Sequence, residues 1–101
     1  MPFSFLGKTL SGCFTVPSGI VTTAPSIIQR VIRDMPEIGV ITTKSIGLEP
    51  RLGNREPVYS QFAPGCFVNA VGLTNPGAQG SLESFGQLCV PDDRFLLVSI
   101  F

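Results

Sequence analysis

Short runs of interchanging apolar and polar residues open the chain. FSFLGKTLSG (3–12) predicts a hairpin that turns at Gly7-Lys8, and CFTVPSG (13–19) predicts a strand that stops at Pro17 and turns at Gly19. From Thr22 the period changes. Ala24, Ile27, Ile28, Val31, Ile32 and Met35 fall on one helical face, with Gln29, Arg30, Arg33 and Asp34 opposite. Thr22 or Thr23 can cap this helix, Pro25 suits its first turn, and Pro36 and Gly39 end it. Residues 38–43 are almost continuously apolar, the pattern of a strand covered on both faces as in parallel sheets. A long excursion rich in Gly, Pro and Asn follows over 44–80, with short strands near 58–62 and 66–70. SLESFGQL (81–88) reads as a weaker helix broken by Gly86, and RFLLVSIF (94–101) as a third buried strand.

Strand, helix and strand within about thirty residues make a βαβ unit with an expected right-handed crossover. A parallel strand ending in Val98-Ser99-Ile100-Phe101 has no following helix to cover it, so its faces and edge would be wet. Two βα units and a third strand neither close a barrel nor complete an open sheet. The expectation is the first part of a longer α/β fold, or a chain that completes itself by association.

Charge changes this picture little, except by its scarcity. Seven basic and seven acidic residues cancel and are scattered, which gives neither a nucleic-acid footprint nor a polybasic membrane patch. Charged residues make up 14%, against roughly 25% in ordinary domains. So few charges suit the interior of something larger or an extensive interface. Cys13, Cys66 and Cys89 are widely spaced, without a CxxC pair, and the chain has no histidine. That argues against a zinc site and a disulfide framework, and for buried reduced thiols in a cytoplasmic protein. The N-terminus lacks the features of a signal peptide, and no apolar run approaches the ~20 residues of a membrane helix.

Candidate chemistry sits where strands end, because ligands of parallel α/β folds bind at the carboxyl ends of strands. PSG (17–19) follows one strand, TKS (43–45) ends the next, and VSIF (98–101) ends the third. FVNAVGLTNPG (67–77) adds Asn69 and Asn75, whose amides both donate and accept, and Gly72, which permits close backbone approach. A strand that only packs a core has no use for an ammonium at its tip, so Lys44 asks for a partner.

The set PSG, TTKSIGLEPRLGN, FVNAVGLTNPG and LLVSIF, in this order and spacing, resembles the opening of the soluble dihydroorotate dehydrogenases, which are flavin-dependent (β/α)8 TIM barrels. The resemblance spans nearly the whole chain and about the first third of that barrel. It implies an N-terminal fragment of one FMN-binding barrel domain over 1–101: a hairpin, about two βα units and a third strand. It further implies FMN contacts at Ser18, Gly19, Lys44, Ser45 and Ser99. Substrate, dihydroorotate or a related pyrimidine, would be gripped by Lys44 and by Asn69, Ala70, Val71, Gly72 and Leu73. A fixed ammonium at Lys44 would stabilise negative charge that develops as a flavin accepts hydride.

By the same resemblance, the cysteine that acts as base lies beyond residue 101, and Cys66 is structural. Glu49, Arg51 and Glu56 shape a loop or a subunit contact, and Tyr59 and Phe62 belong to a loop core. The base, a later lysine and the phosphate-gripping loops all fall outside these residues. The chain alone is therefore expected to be inactive, as part of an FMN-dependent oxidoreductase that converts dihydroorotate to orotate and forms a homo-oligomer. Two other readings stay open: a flavin- or pyrimidine-binding module completed by a partner chain, and a self-associating barrel fragment without catalysis.

Overall fold

Three short parallel strands carry the frame. The computed structural model describes residues 3–101. Its elements are β1 (Phe3–Phe5), β2 (Lys8–Leu10), β3 (Phe14–Val16), α1 (Pro25–Asp34), β4 (Ile38–Thr42), β5 (Tyr59–Ala63), β6 (Cys66–Asn69), α2 (Gly77–Phe85) and β7 (Phe95–Leu97). Strands β3, β4 and β7 form one parallel sheet in that order, while β1–β2 and β5–β6 are antiparallel hairpins. The architecture is mixed α/β, as expected, and its two βα units and third strand are compatible with part of a barrel.

The sheet and both helices share one apolar cluster. Ile28, Val31 and Ile32 of α1 bury against Ile41 of β4, joined by Phe85 and Leu88 at the end of α2 and Leu96 of β7. Ile41 and Leu96 are register partners, so both helices cover the same face of the sheet. Residues along β4 alternate between half-buried and buried. Its apolar run thus serves one fully covered face and one half-covered face. The β1–β2 hairpin lies toward the second face, where Phe5 meets Phe95 edge-on at 5.8 Å and the Lys8 ammonium sits 4.7 Å from the centre of the same ring. Gly12 and Gly39 allow the chain segments to cross here. A Cβ on Gly12 would strike the Glu37 carbonyl, and one on Gly39 would strike the carbonyl of Gly12.

Several boundaries differ from the sequence reading. The first hairpin turns at Leu6-Gly7, one residue early, with φ of 49° and 75°, because two left-handed residues match the twist of the flanking strands. Neither Thr22 nor Thr23 caps α1. Ala24 holds the cap position without a side-chain bond, while Thr22 is fully buried and its carbonyl accepts the Lys44 N–H. Helix α2 starts four residues early and ends before Gly86. The Asn75 side-chain oxygen accepts the Gly77 N–H and launches a turn that Gly77 and Gly80 would not favour by propensity. The last strand is only three residues long.

Solvent also reaches groups expected inside. Cys13, Cys66 and Cys89 are all exposed. Tyr59 and Phe62 are exposed as well, and they share the cause with Cys66: β5–β6, which carries all three, is a two-stranded arm with no third strand paired to it among the described residues. At the end of α1, hydrogen bonds from Arg33 hold the Asp34 carboxyl below its usual range, with Arg30 one turn back adding to the effect. This offsets the unfavourable meeting of a carboxylate with the negative end of the helix. No described helix is long and apolar enough to cross a membrane. Among the described residues, no group of three or more His, Cys, Asp or Glu side chains could hold a metal ion.

Urea unfolding should separate these contributions. Ile41→Ala is expected to cost about 3 kcal/mol through the cavity it leaves. Leu52→Ala, at a fully solvated position, should stay within about 0.5 kcal/mol of the parent. Leu6→Asn should stabilise by about 0.5–1 kcal/mol, since asparagine tolerates the left-handed turn better than leucine.

Candidate functional site

Parallel pairing does not stop where the strands end. Thr43 donates its N–H to the Leu97 carbonyl at 2.9 Å, and Ile46 donates to Ser99 at 2.9 Å. Phe101 then donates to Ile46 at 3.1 Å, and an isolated bridge pairs Ile46 with Ile100. This extension draws the chain after β4 and the chain after β7 into one plane. It sets the Ser45 hydroxyl 2.8 Å from the Ser99 hydroxyl, and Ser18, after β3, reaches Ser45 at 3.3 Å. Three of the five residues proposed from sequence for one ligand thus meet as a line of hydroxyls across the carboxyl ends of all three parallel strands.

A buried threonine supports that line. Thr43 is fully buried; its hydroxyl accepts the Ser99 N–H at 3.2 Å and donates to the Lys44 carbonyl at 3.1 Å. Lys44 is half-buried, its backbone tied to Thr22, and among the described residues its ammonium makes no ion pair. Gly19 has φ of 85°, with open space where a Cβ would stand. A turn from Ile20 N–H to the Pro17 carbonyl at 3.4 Å shapes that corner. Sequence reasoning gave Thr22 only a capping role and Thr43 none beyond closing its strand. Their signal was two polar residues of medium size embedded where the apolar pattern should have continued.

The second group, Asn69 to Leu73, is built by a different device. The carbonyls of Ala70, Val71, Gly72 and Leu73 accept, in turn, from Asn54 Nδ2, Asn54 N, Arg51 Nε and Asn75 Nδ2, at 2.8, 2.8, 2.6 and 2.8 Å. Arg51 and Asn75 also exchange backbone hydrogen bonds at 2.9 Å each. With every carbonyl taken, the N–H groups of Val71, Gly72 and Leu73 remain without a protein acceptor among the described residues. A row of such donors suits a carboxylate or a carbonyl oxygen. Asn69 is exposed and makes no side-chain hydrogen bond among the described residues.

Two expectations need correcting at this knot. Gly72 does give close backbone approach, but to Asn54, whose Cγ and N would lie 2.7 Å from a Cβ there, and not to open space. Asn75 does not offer a free amide: its oxygen accepts from Gly47 at 3.1 Å and Gly77 at 2.9 Å while its nitrogen donates to Leu73. Arg51 shapes the loop, as the sequence suggested.

A family model described as "Dihydroorotate dehydrogenase" matches residues 2–89. The chain belongs to the dihydroorotate dehydrogenase family. It is 41% identical over 87 residues to the dihydroorotate dehydrogenase B (NAD(+)) catalytic subunit of Pyrococcus abyssi, covering 83% of this chain and 26% of the relative. The corresponding subunit of Pyrococcus furiosus is 36% identical over 95 residues, with coverages of 94% and 30%. That of Methanosarcina mazei is 30% identical over 99 residues, with coverages of 98% and 31%. This member of the dihydroorotate dehydrogenase family therefore spans between about a quarter and a third of the length of the relatives it matches.

Removing the knot should loosen the second group selectively. Asn75→Ala is expected to speed amide hydrogen exchange at Gly47 and Gly77 by about tenfold, the size of one lost hydrogen bond. Asn75→Asp keeps the accepting oxygen and should preserve both. Unchanged exchange in Asn75→Ala would remove the role assigned to this side chain.

Proposed function

We propose that this chain is the strand-end portion of an FMN-dependent dihydroorotate dehydrogenase, acting in pyrimidine synthesis in the cytoplasm. The observation that carries the reading is the hydroxyl line Ser18–Ser45–Ser99, at the carboxyl ends of the parallel strands, with the unpaired Lys44 next to it in sequence. The donor set fits a flavin mononucleotide. Hydroxyls that can donate or accept, an ammonium without a carboxylate, and the open left-handed corner at Gly19 together suit the polar edge of a flat heteroaromatic ring. Bound FMN would supply the two-electron acceptor for the hydride that leaves dihydroorotate.

The chain's own residues then divide the work. Ser18, Gly19, Ser45 and Ser99 orient the cofactor. Lys44, anchored through its backbone to Thr22, holds a positive charge where negative charge develops and where the substrate carboxylate can approach. Asn69 and the N–H groups of residues 71–73 take up the pyrimidine's oxygens, whereas the Ala70 N–H, expected from sequence to join them, is spent on the Val58 carbonyl at 2.8 Å. Proton removal is assigned to a base in another part of the polypeptide: Cys66, exposed on the β5–β6 arm, has no side-chain partner among the described residues that would activate it. The whole enzyme would close a (β/α)8 barrel, and the 101 residues by themselves would not turn over substrate.

The names of these relatives couple their chemistry to NAD(+) and speak of a catalytic subunit. We carry this over as electron delivery to NAD(+) through a second, separate subunit.

In the FMN-loaded protein that contains this segment, Lys44→Ala should slow flavin reduction by dihydroorotate by a factor of roughly 100 or more, followed by rapid-mixing absorbance. Arg30→Ala, on the solvated face of α1, should leave the rate within about twofold. Equal effects of the two substitutions would rule out the electrostatic role of Lys44. The separately purified 101-residue chain, mixed with FMN and freed of excess, is expected to be colourless, because no phosphate-gripping loop is assigned to it.

A further inference from the structure

At the opposite end of the parallel sheet from the hydroxyl line lies a buried guanidinium whose hydrogen bonds are unmet. Arg94, the residue before β7, is only 5% exposed, and its Nε and Nη1 are buried with no hydrogen-bond partner. A guanidinium cannot shed its proton to escape burial, as a lysine can. A buried charge with only a loose, half-solvated counter-ion is among the least favourable groups a small domain can carry, unless something accepts its hydrogen bonds.

The surroundings do not supply that acceptor. The Asp93 carboxylate stands 3.9 Å from Nε, beyond hydrogen-bond reach, with about half of its side chain in solvent. Asp92 is exposed and makes no ion pair among the described residues. Lys8, the other cation nearby, donates its ammonium to the Arg94 carbonyl at 3.0 Å and so adds positive potential. The backbone is pinned on both sides: Arg94 donates to Pro91 at 3.2 Å, and the Asp93 carbonyl accepts from Ser11 at 3.0 Å. The hairpin and the start of β7 thus hold the guanidinium in place, with donors fixed and unused.

We propose that Arg94 is an oxyanion-binding site, whose ligand is either a free phosphate- or sulfate-like anion or a carboxylate donated by polypeptide outside these residues. Both offer paired oxygens that match the fork of a guanidinium. A water molecule could satisfy one N–H but not the charge. This site is separate from the flavin-side residues; only its protein-carboxylate alternative rests on the reading that further polypeptide completes the fold.

The test uses the purified 101-residue chain labelled with nitrogen-15, with the Arg94 Nε–H resonance identified by its loss in Arg94→Lys. Inorganic phosphate and acetate are the two probes, titrated at constant ionic strength. The expected result is a protected Nε–H whose exchange with water slows by roughly tenfold on saturation, the scale of one charge-assisted hydrogen bond. The other arginine resonances should not respond. Slowing by phosphate alone assigns a free oxyanion, and slowing by acetate as well assigns a protein carboxylate. A resonance that responds to neither probe, or one that exchanges as fast as the solvated Arg30, overturns the proposal.

Discussion

The hydroxyl line of the candidate site depends on parallel pairing that runs past the nominal ends of β4 and β7. The bonds from Thr43 to Leu97, Ile46 to Ser99 and Phe101 to Ile46 keep two loop segments in strand-like register for several residues after the regular ladder has ended. Side chains of an extended chain alternate in direction, so a register slip of one residue would turn Ser45 or Ser99 to the other face. Correct register brings their oxygens to 2.8 Å. Thr43 locks that register from within, since its buried hydroxyl accepts from one strand end and donates to the other. The site is therefore an outgrowth of sheet geometry more than of loop conformation.

The loop that follows obtains its rigidity without a core. Residues 47–54 and 70–77 are joined through Asn54 and Arg51, whose side chains donate one hydrogen bond each, and through Asn75, whose side chain makes three. Such a knot orders a Gly- and Pro-rich segment at little cost in buried apolar area. It also decides what the segment can offer a ligand. By occupying the carbonyls it leaves donors, and a segment that presents mainly donors selects for anionic or carbonyl-bearing partners. The hollow of about 480 Å³ between α2 and β7, lined by Leu82, Phe85, Leu96 and Ile100, has the opposite character and is almost wholly apolar.

Legibility in the sequence varied with the kind of force involved. The helix over Pro25–Asp34 and the strand at Ile38–Thr42 could be read because apolar periodicity and the flanking prolines report burial directly. The start of α2 could not, since Asn75 launches it by a side-chain bond that overrides two glycines. The cysteines and the aromatic pair Tyr59 and Phe62 were misjudged for a related reason. Residue type indicates a preference for the interior, but only the layers present decide whether an interior exists at that point. The unpartnered Arg94 gave no signal at all, because a charged residue before a strand is ordinary until its burial is known.

By itself, the sequence determined the order of strands and helices, the polar residues at the strand tips and the family to which they belong, because these depend on local spacing and residue type. Tertiary structure alone decided that Ser18, Ser45 and Ser99 touch, that Asn75 is consumed as scaffold, and that Gly72 faces Asn54. Apart from the local bonds of Asn75 to Leu73 and Gly77, those outcomes hang on hydrogen bonds between residues 16 to 54 positions apart. Such pairings are set by register and by competition for acceptors in space, and neither leaves a trace in the local pattern of the chain.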